Sequence, residues 1–318
     1  MKKILVTIPV REKDRKFLEE KGKEFQFCYR TKEEITVSDV VDAEIILGNI
    51  PVELVPKAKK LKFLQLDSAG STEYTASGVL MPDTKLANAT GAYGLAISEY
   101  MLAGVLMLRK KLHLYQKNME QHLWKDEGEV LSIRDSVTLV VGLGDIGSQF
   151  AEKMHALGSE VIGVRKHKAA RPDYIKEVCQ QEDLDRLLPK ADIVAMSLPG
   201  NQDTYHMMNA ERLALMKENA VLINVGRGIT VDTDALVKAL QEKRIAGACL
   251  DVTDPEPLPA EHPLWDMENV ILTPHISGGY ALPETLEQIL TICIENLECY
   301  MVQRPLRNLI DMKTGYCE

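Results

Sequence analysis

Three residues in the C-terminal half of the chain could share one piece of chemistry. Arg227 lies in NVGRG, Glu256 in DVTDPEPLP and His275 in TPHISGG. A guanidinium can fork onto a carboxylate and polarise the carbonyl beside it. Histidine, whose ordinary pKa is about 6.5, can give a proton to an oxygen that is becoming an alkoxide and take it back in reverse. A carboxylate beside the ring favours the imidazolium and fixes its orientation. Together they could accompany hydride transfer to a 2-oxo acid, with Arg227 as anchor, His275 as acid/base and Glu256 as its partner. Singly, each admits a plainer role: a structural ion pair, a solvated loop residue, a capped core histidine. Pro255, Pro257 and Pro259 stiffen the loop that carries Glu256. The other histidines show no ligand spacing, so no metal is inferred.

Hydride transfer needs a carrier. GLGDIG places Gly142, Gly144 and Gly147 after the apolar run Val137–Val141 and before a helical face of Ile146, Phe150, Met154 and Leu157. In that context Gly142 makes the turn, Gly144 admits a pyrophosphate and Gly147 lets helix and strand pack, with the helix N-terminus toward the anion. Asp145 and Ile146 complete the candidate turn, although Asp145 puts negative charge near a pyrophosphate. The alternative is a βα turn that binds nothing. An acidic residue would follow such a motif by about 20 positions if the ligand were NAD. This chain has Arg165, followed by Lys166, His167, Lys168 and, further on, Arg171. Arginine pairs with a 2′-phosphate that a carboxylate would repel, so the turn reads as NADP-preferring, the alternative being a solvated basic turn.

The elements around these residues predict an α/β fold of two doubly wound parallel-sheet domains. Front strands fall at Lys3–Ile8, Glu44–Leu47 and Phe63–Leu66, and a long helical stretch at about Leu95–Leu123. Nearly continuous apolar strands follow at Ser136–Gly142, Glu160–Val164, Asp192–Leu198, Ala220–Val225, Ala246–Val252 and Asn269–Thr273, as buried parallel strands should read. Arg227, Glu256 and His275 each follow one of these strands, on the edge where open α/β sheets bind ligands. Asn209 is placed to cap a helix and Pro283 to open the last one. The expected division is 1–97 with 286–318, and 98–285.

The chain has 318 residues, enough for two domains that need no disulfide or metal. Its net charge of −9 argues against nucleic acid as a partner, and no apolar run is long enough to span a membrane. Six scattered cysteines without a CxxC pair read as thiols in a reducing cytosol. The N-terminal MKKILVTIPV reads as a first strand rather than a signal peptide.

GLGDIG, NVGRG, GACLDVTDPEPLP…HPLW and NVILTPHISGG, in this order, resemble the D-isomer-specific 2-hydroxyacid dehydrogenase family over nearly the whole chain. The resemblance implies two domains about a cleft, hinges near 97–99 and 284–287, and the roles given above for Arg227, Glu256 and His275. It implies that Asp251 meets the nicotinamide carboxamide, that Leu198 and Pro199 lie along the cofactor, and that Val225 precedes the GRG turn beside it. LQLDSAGST matches the loop whose backbone amides hold the substrate carboxylate, here Ala69, Gly70 and Ser71. NATGAYG matches a substrate-side loop in which Tyr93 departs from the commoner pattern and could shape specificity. The family is usually dimeric through the region matching about Met101–Val130, where Trp124 either reaches a neighbouring subunit or packs on the surface. The phosphoglycerate branch carries basic residues where this chain has GNIPVE, and a regulatory domain that has no counterpart before Glu318. The expected substrate is therefore an unphosphorylated 2-oxo acid, a small one such as glyoxylate or hydroxypyruvate or else a larger one, reduced in the cytoplasm. A phosphoglycerate dehydrogenase, or a cofactor-sensing binding protein without turnover, stands as the alternative.

Overall fold

The computed structural model describes residues 1–166 and 170–312. His167, Lys168 and Cys317 lie outside the described residues. The chain forms two compact units, one of Met1–Tyr93 with the segment from Tyr280, the other of Gly94–Gly279. These boundaries stand a few residues before the expected 97/98 and 285/286. The whole of the helix that starts at Gly94 packs inside the second unit, while the Tyr280 hydroxyl bonds to Asp67 of the first.

The first unit runs β1 (Lys2–Val6), α1 (Glu12–Lys21), β2 (Phe25–Tyr29), α2 (Val37–Val40), β3 (Ala43–Leu47), β4 (Phe63–Gln65) and β5 (Lys85–Ala87). Its sheet has the order β2-β1-β3-β4-β5, and every pair is parallel. Ile46, Leu64 and Leu86 from adjacent strands fill one core face.

The second unit runs α3 (Gly94–Arg109), α4 (Leu112–Glu120), β6 (Val137–Val141), α5 (Asp145–Ala156), β7 (Glu160–Val164), β8 (Glu177–Cys179), α6 (Leu184–Leu187), β9 (Ile193–Met196), α7 (Ala210–Leu215), β10 (Val221–Asn224), α8 (Thr233–Gln241), β11 (Gly247–Leu250) and β12 (Val270–Leu272). Its parallel sheet has the order β12-β11-β10-β9-β6-β7-β8. The chain reverses direction across the sheet between β6 and β9, so the crevice beyond their carboxyl ends is the switch point where such folds bind ligands. The Asn209 side chain accepts from the Arg212 N–H at 3.0 Å and caps α7. The last helix, α9 (Pro283–Met301), belongs to the first unit.

The expected single helix over Leu95–Leu123 is two. Lys111 adopts a left-handed φ of 57° and ends α3, and its ammonium bonds to the Glu127 carbonyl. Three strands absent from the sequence reading, β2, β5 and β8, all lie at sheet edges. An edge strand is covered on fewer sides and does not require the unbroken apolar run that marks a central parallel strand.

Candidate active site

In the second unit, Gly142 has a φ of +104°, a region open to glycine but costly for other residues. A Cβ on Gly147 would lie 1.9 Å from the Gly142 carbonyl oxygen, so only glycine lets α5 start this close to β6. A Cβ on Gly144 would meet nothing within 4 Å. That bare backbone at the start of α5, at the switch point, is the room a pyrophosphate needs. Ser197, just after β9, donates its hydroxyl to the Gly142 carbonyl at 2.9 Å and ties the two sides of the crevice together. Leu198 and Pro199 follow it. Asp145 and Ile146 occupy the first turn of α5, where the Asp145 carboxylate accepts from Gln149 at 2.9 Å.

Arg165 follows β7 directly. Its guanidinium forms no ion pair among the described residues, and its Nε is buried without a hydrogen-bond partner. A half-buried guanidinium with an unpartnered Nε at that position fits a phosphate-bearing ligand. Lys166 pairs with Asp203 at 2.8 Å, and Arg171 donates to the Ile175 carbonyl.

Arg227, Glu256 and His275 stand beyond the carboxyl ends of β10, β11 and β12. His275 Nδ1 lies 2.6 Å from Glu256 Oε1. A carboxylate only accepts, so Nδ1 carries the hydrogen and Nε2 is left as the atom that gives or takes a proton. The two side chains are 45% and 42% exposed, so the pair contributes about 0–1 kcal/mol to stability. Its consequence is orientation of the ring. Cis peptide bonds precede Pro255 and Pro257, on either side of Glu256.

Arg227 donates to the Gly226 carbonyl at 2.7 Å and makes no ion pair among the described residues, which leaves most of its guanidinium for a ligand. Its backbone is locked from below. The Asn224 amide and the Thr230 hydroxyl both donate to the Arg227 carbonyl, at 3.2 and 2.7 Å, and Asn224 Oδ1 accepts from the Gly226 N–H at 3.1 Å. Val225 is buried between Asn224 and the turn. Asn224 escaped the sequence reading; its signal was a buried amide at the end of an otherwise apolar strand.

Asp251 is buried at the end of β11. Its Oδ1 accepts from the Thr273 hydroxyl at 2.7 Å and the Ile276 N–H at 2.9 Å; its Oδ2 accepts from the Ser277 N–H at 3.0 Å and hydroxyl at 2.5 Å. Its carbonyl accepts from the His275 N–H at 2.8 Å. A carboxylate offers about four lone-pair sites, and these four donors fill them. A carboxamide N–H would be a fifth. In this structure Asp251 holds the loop that carries His275, whose φ of +54° is uncommon outside glycine and must be imposed by such contacts.

In the first unit, the loop after β4 is braced on several sides. Asn49 exchanges two hydrogen bonds with Asp67, each 3.0 Å; the Asn88 amide donates to the Ala69 carbonyl at 2.7 Å; and the Ser68 hydroxyl donates to the Gly70 carbonyl at 2.7 Å. The N–H groups of Ala69 and Gly70 donate to no described residue, while Ser71 is buried and engaged. Buried Asp67 takes the Lys32 ammonium at 3.1 Å and the Tyr280 hydroxyl. Tyr93 is buried too, with its hydroxyl donated to the Asp67 carbonyl, so it supports this loop from behind.

The sequence profile described as "D-isomer specific 2-hydroxyacid dehydrogenase, NAD binding domain" matches residues 102–277. The chain belongs to this family. It is an oxidoreductase of the 2-hydroxyacid dehydrogenase type, and its second unit is the dinucleotide-binding domain. A glyoxylate reductase of Thermofilum pendens is 32% identical over 263 residues, 80% of this chain and 76% of that protein. A family member from Aeromonas salmonicida, known from its crystal structure, superimposes with a TM-score of 0.87 at 28% identity, covering 98% of this chain and 99% of that one. A further member, from Xanthobacter autotrophicus and crystallised with NADPH and MES, gives 0.82 at 26% identity over 99% of both chains.

Proposed function

We propose that this dehydrogenase reduces a small, unphosphorylated 2-oxo acid to the D-2-hydroxy acid with NADPH, glyoxylate and hydroxypyruvate being the first candidates. The observation that carries the reading is His275 held by Glu256 at 2.6 Å beyond the strand ends of a dinucleotide-binding unit. A dinucleotide held by its pyrophosphate at the glycine turn would supply the hydride. His275 Nε2 gives its proton to the oxygen that becomes the hydroxyl, and Glu256, bonded to Nδ1, fixes the face of the ring. The unpaired Arg227 forks onto the substrate carboxylate and polarises the adjacent carbonyl. In the first unit, the backbone N–H groups of Ala69 and Gly70, which donate to no described residue, are read as donors to a carboxylate. The test is nicotinamide absorbance during turnover with glyoxylate, hydroxypyruvate, pyruvate, phenylpyruvate and 3-phosphohydroxypyruvate. Fastest turnover of the phosphorylated acid would replace the substrate assignment. Tight cofactor binding with no turnover of any of them would replace the enzymatic one.

The preference for NADPH rests on Arg165. Hydrogen bonds to charged groups contribute about 1.5–3 kcal/mol, so Arg165→Ser is expected to lower kcat/KM for NADPH by roughly 10- to 100-fold. The value for NADH should change little. An equal loss with both cofactors would remove Arg165 from 2′-phosphate recognition.

The assembly we propose is a homodimer through residues 101–130. Trp124 is fully exposed beside Met119 and Leu123, and these two with Leu112 and Val130 of the same stretch expose much of their apolar surface. Such a patch is unusual on a monomer. Sedimentation should give twice the chain mass, and Trp124→Asp should shift it toward the monomer. A wild-type chain that sediments as a monomer would end this assignment.

A further inference from the structure

We infer that Tyr100, on α3, is a positioning residue for the proton-transfer step, acting on His275 through Thr273 and Asp251. The inference rests on the acid/base role proposed for His275. The Tyr100 hydroxyl lies 2.6 Å from Thr273 Oγ1, and the Thr273 hydroxyl lies 2.7 Å from the Asp251 carboxylate. The direction of these bonds follows from donor capacity. Asp251 only accepts, so Thr273 spends its single hydrogen there. Thr273 Oγ1 must then accept from Tyr100. The Tyr100 oxygen in turn accepts from the Cys249 thiol at 3.5 Å. The result is one ordered chain, Cys249 to Tyr100 to Thr273 to Asp251, with every hydrogen assigned by the carboxylate at its end.

The environment keeps that chain in one protonation state. Burial, with Cys249 close by, holds the Tyr100 hydroxyl above the ordinary tyrosine range, so it stays a donor. Burial pushes the Cys249 thiol up to about 11, which keeps it a thiol near neutral pH. The helix is seated for this contact by a missing side chain one turn on. A Cβ on Gly104 would lie 2.5 Å from Cys249 Sγ, so glycine there lets α3 approach β11 closely enough for the Tyr100 hydroxyl to reach Thr273.

The consequence falls on His275 because Asp251 grips its loop from both sides. Thr273 precedes the histidine and Ile276 and Ser277 follow it, and all three bond to the one carboxylate. Losing the donor behind Thr273 frees that hydroxyl to rotate away from Asp251. The loop then holds a strained backbone with a weaker clamp, and the ring loses its fixed approach. The Tyr100 hydroxyl bonds to Thr273 and Cys249 and not to the imidazole or Glu256, so its effect belongs to geometry rather than to substrate affinity.

Tyr100→Phe keeps the ring and removes the hydroxyl. Misplacement of a reacting group by an ångström can cost 100-fold, so a partial loosening is expected to lower kcat by about tenfold. KM for the 2-oxo acid and the Kd for NADPH should stay within about twofold of wild type, since the change acts on the oriented step and not on uniform binding. Thr273→Val should abolish the link, so that adding Tyr100→Phe to it has no further effect, whereas Thr273→Ser should retain activity. A second readout does not need turnover: the ring resonance of His275 in histidine-labelled protein, assigned by its loss in His275→Gln, should move in Tyr100→Phe. Unchanged kcat, an unmoved His275 resonance, or additive losses in the Tyr100/Thr273 pair would each overturn the inference. Absence of turnover by the wild-type enzyme would count against the proposed function instead, and the resonance would still test the link.

Discussion

Replacing His275 by alanine should lower kcat for 2-oxo acid reduction by about 10²- to 10⁴-fold, the range a positioned acid/base group supplies. NADPH binding, followed by quenching of protein fluorescence, should persist, because the glycine turn and Arg165 do not use the imidazole. Folding should persist too. The loop backbone is gripped by Asp251 through Thr273, Ile276 and Ser277, and the ring itself is 45% exposed. Glu256→Gln is the graded companion. It retains a group that can bond Nδ1 but replaces a charge-assisted hydrogen bond with a weaker neutral one, so a smaller loss, roughly tenfold, is expected. The two variants therefore separate proton transfer from ring orientation. Retention of most reductase activity by His275→Ala would remove the histidine from the reaction. The proton would then have to come from another group.

Much of this site was legible in the sequence because its residues sit where strands end. Ala220–Val225 and Ala246–Val252 are apolar enough to declare central strands, and Arg227 and Glu256 in the turns after them stand out against that background. The glycine turn was legible for the same reason, and the distances at Gly142, Gly144 and Gly147 agree with turn, access and packing in that order. The edge strands β2, β5 and β8 were not legible, since partial cover demands no continuous apolar run. Nor was the division of the long helix at Lys111, because a left-handed lysine leaves no mark that RKK alone reveals. Tyr93 illustrates a different limit. The resemblance put it on a substrate-side loop where it could shape specificity; its hydroxyl goes to the Asp67 carbonyl, a partner 26 positions away that no local pattern encodes. Asp251 is the same case in reverse: the motif marks it, but only the fold shows four donors from one loop converging on it. Polar residues that serve other polar residues are the part of a site that sequence spacing conceals.

Gly228→Ala should be the most damaging conservative change in the second unit. A Cβ at 228 would lie 1.8 Å from the Thr253 carbonyl oxygen and 2.0 Å from its carbon. Both are backbone atoms, so no rotamer can relieve the contact. Gly228 follows Arg227, and Thr253 begins the loop that carries Glu256, so the added methyl must drive apart the two turns that hold the anchor and the histidine's partner. Overpacking of this kind costs about 1–3 kcal/mol, or a fall in melting temperature of roughly 2–12 °C for a unit this size. The catalytic loss should exceed what that destabilisation accounts for. Displacement of Arg227 and Glu256 by even a fraction of an ångström acts on orientation, and a drop in kcat/KM of about 100-fold is expected at a temperature where the variant is fully folded. Gly279→Ala supplies the control in the His275 segment. A Cβ there would meet its nearest neighbour, the Ile276 carbonyl oxygen, at an ordinary 3.6 Å, so activity and melting temperature should hardly move. If Gly228→Ala proved as active as Gly279→Ala, the close approach of the two turns would have no part in setting the Arg227 and Glu256 positions. Arg227 would then owe its order to the hydrogen bonds of Asn224 and Thr230, and the Glu256 loop to the Thr233 hydroxyl donated to the Asp254 carbonyl at 2.8 Å.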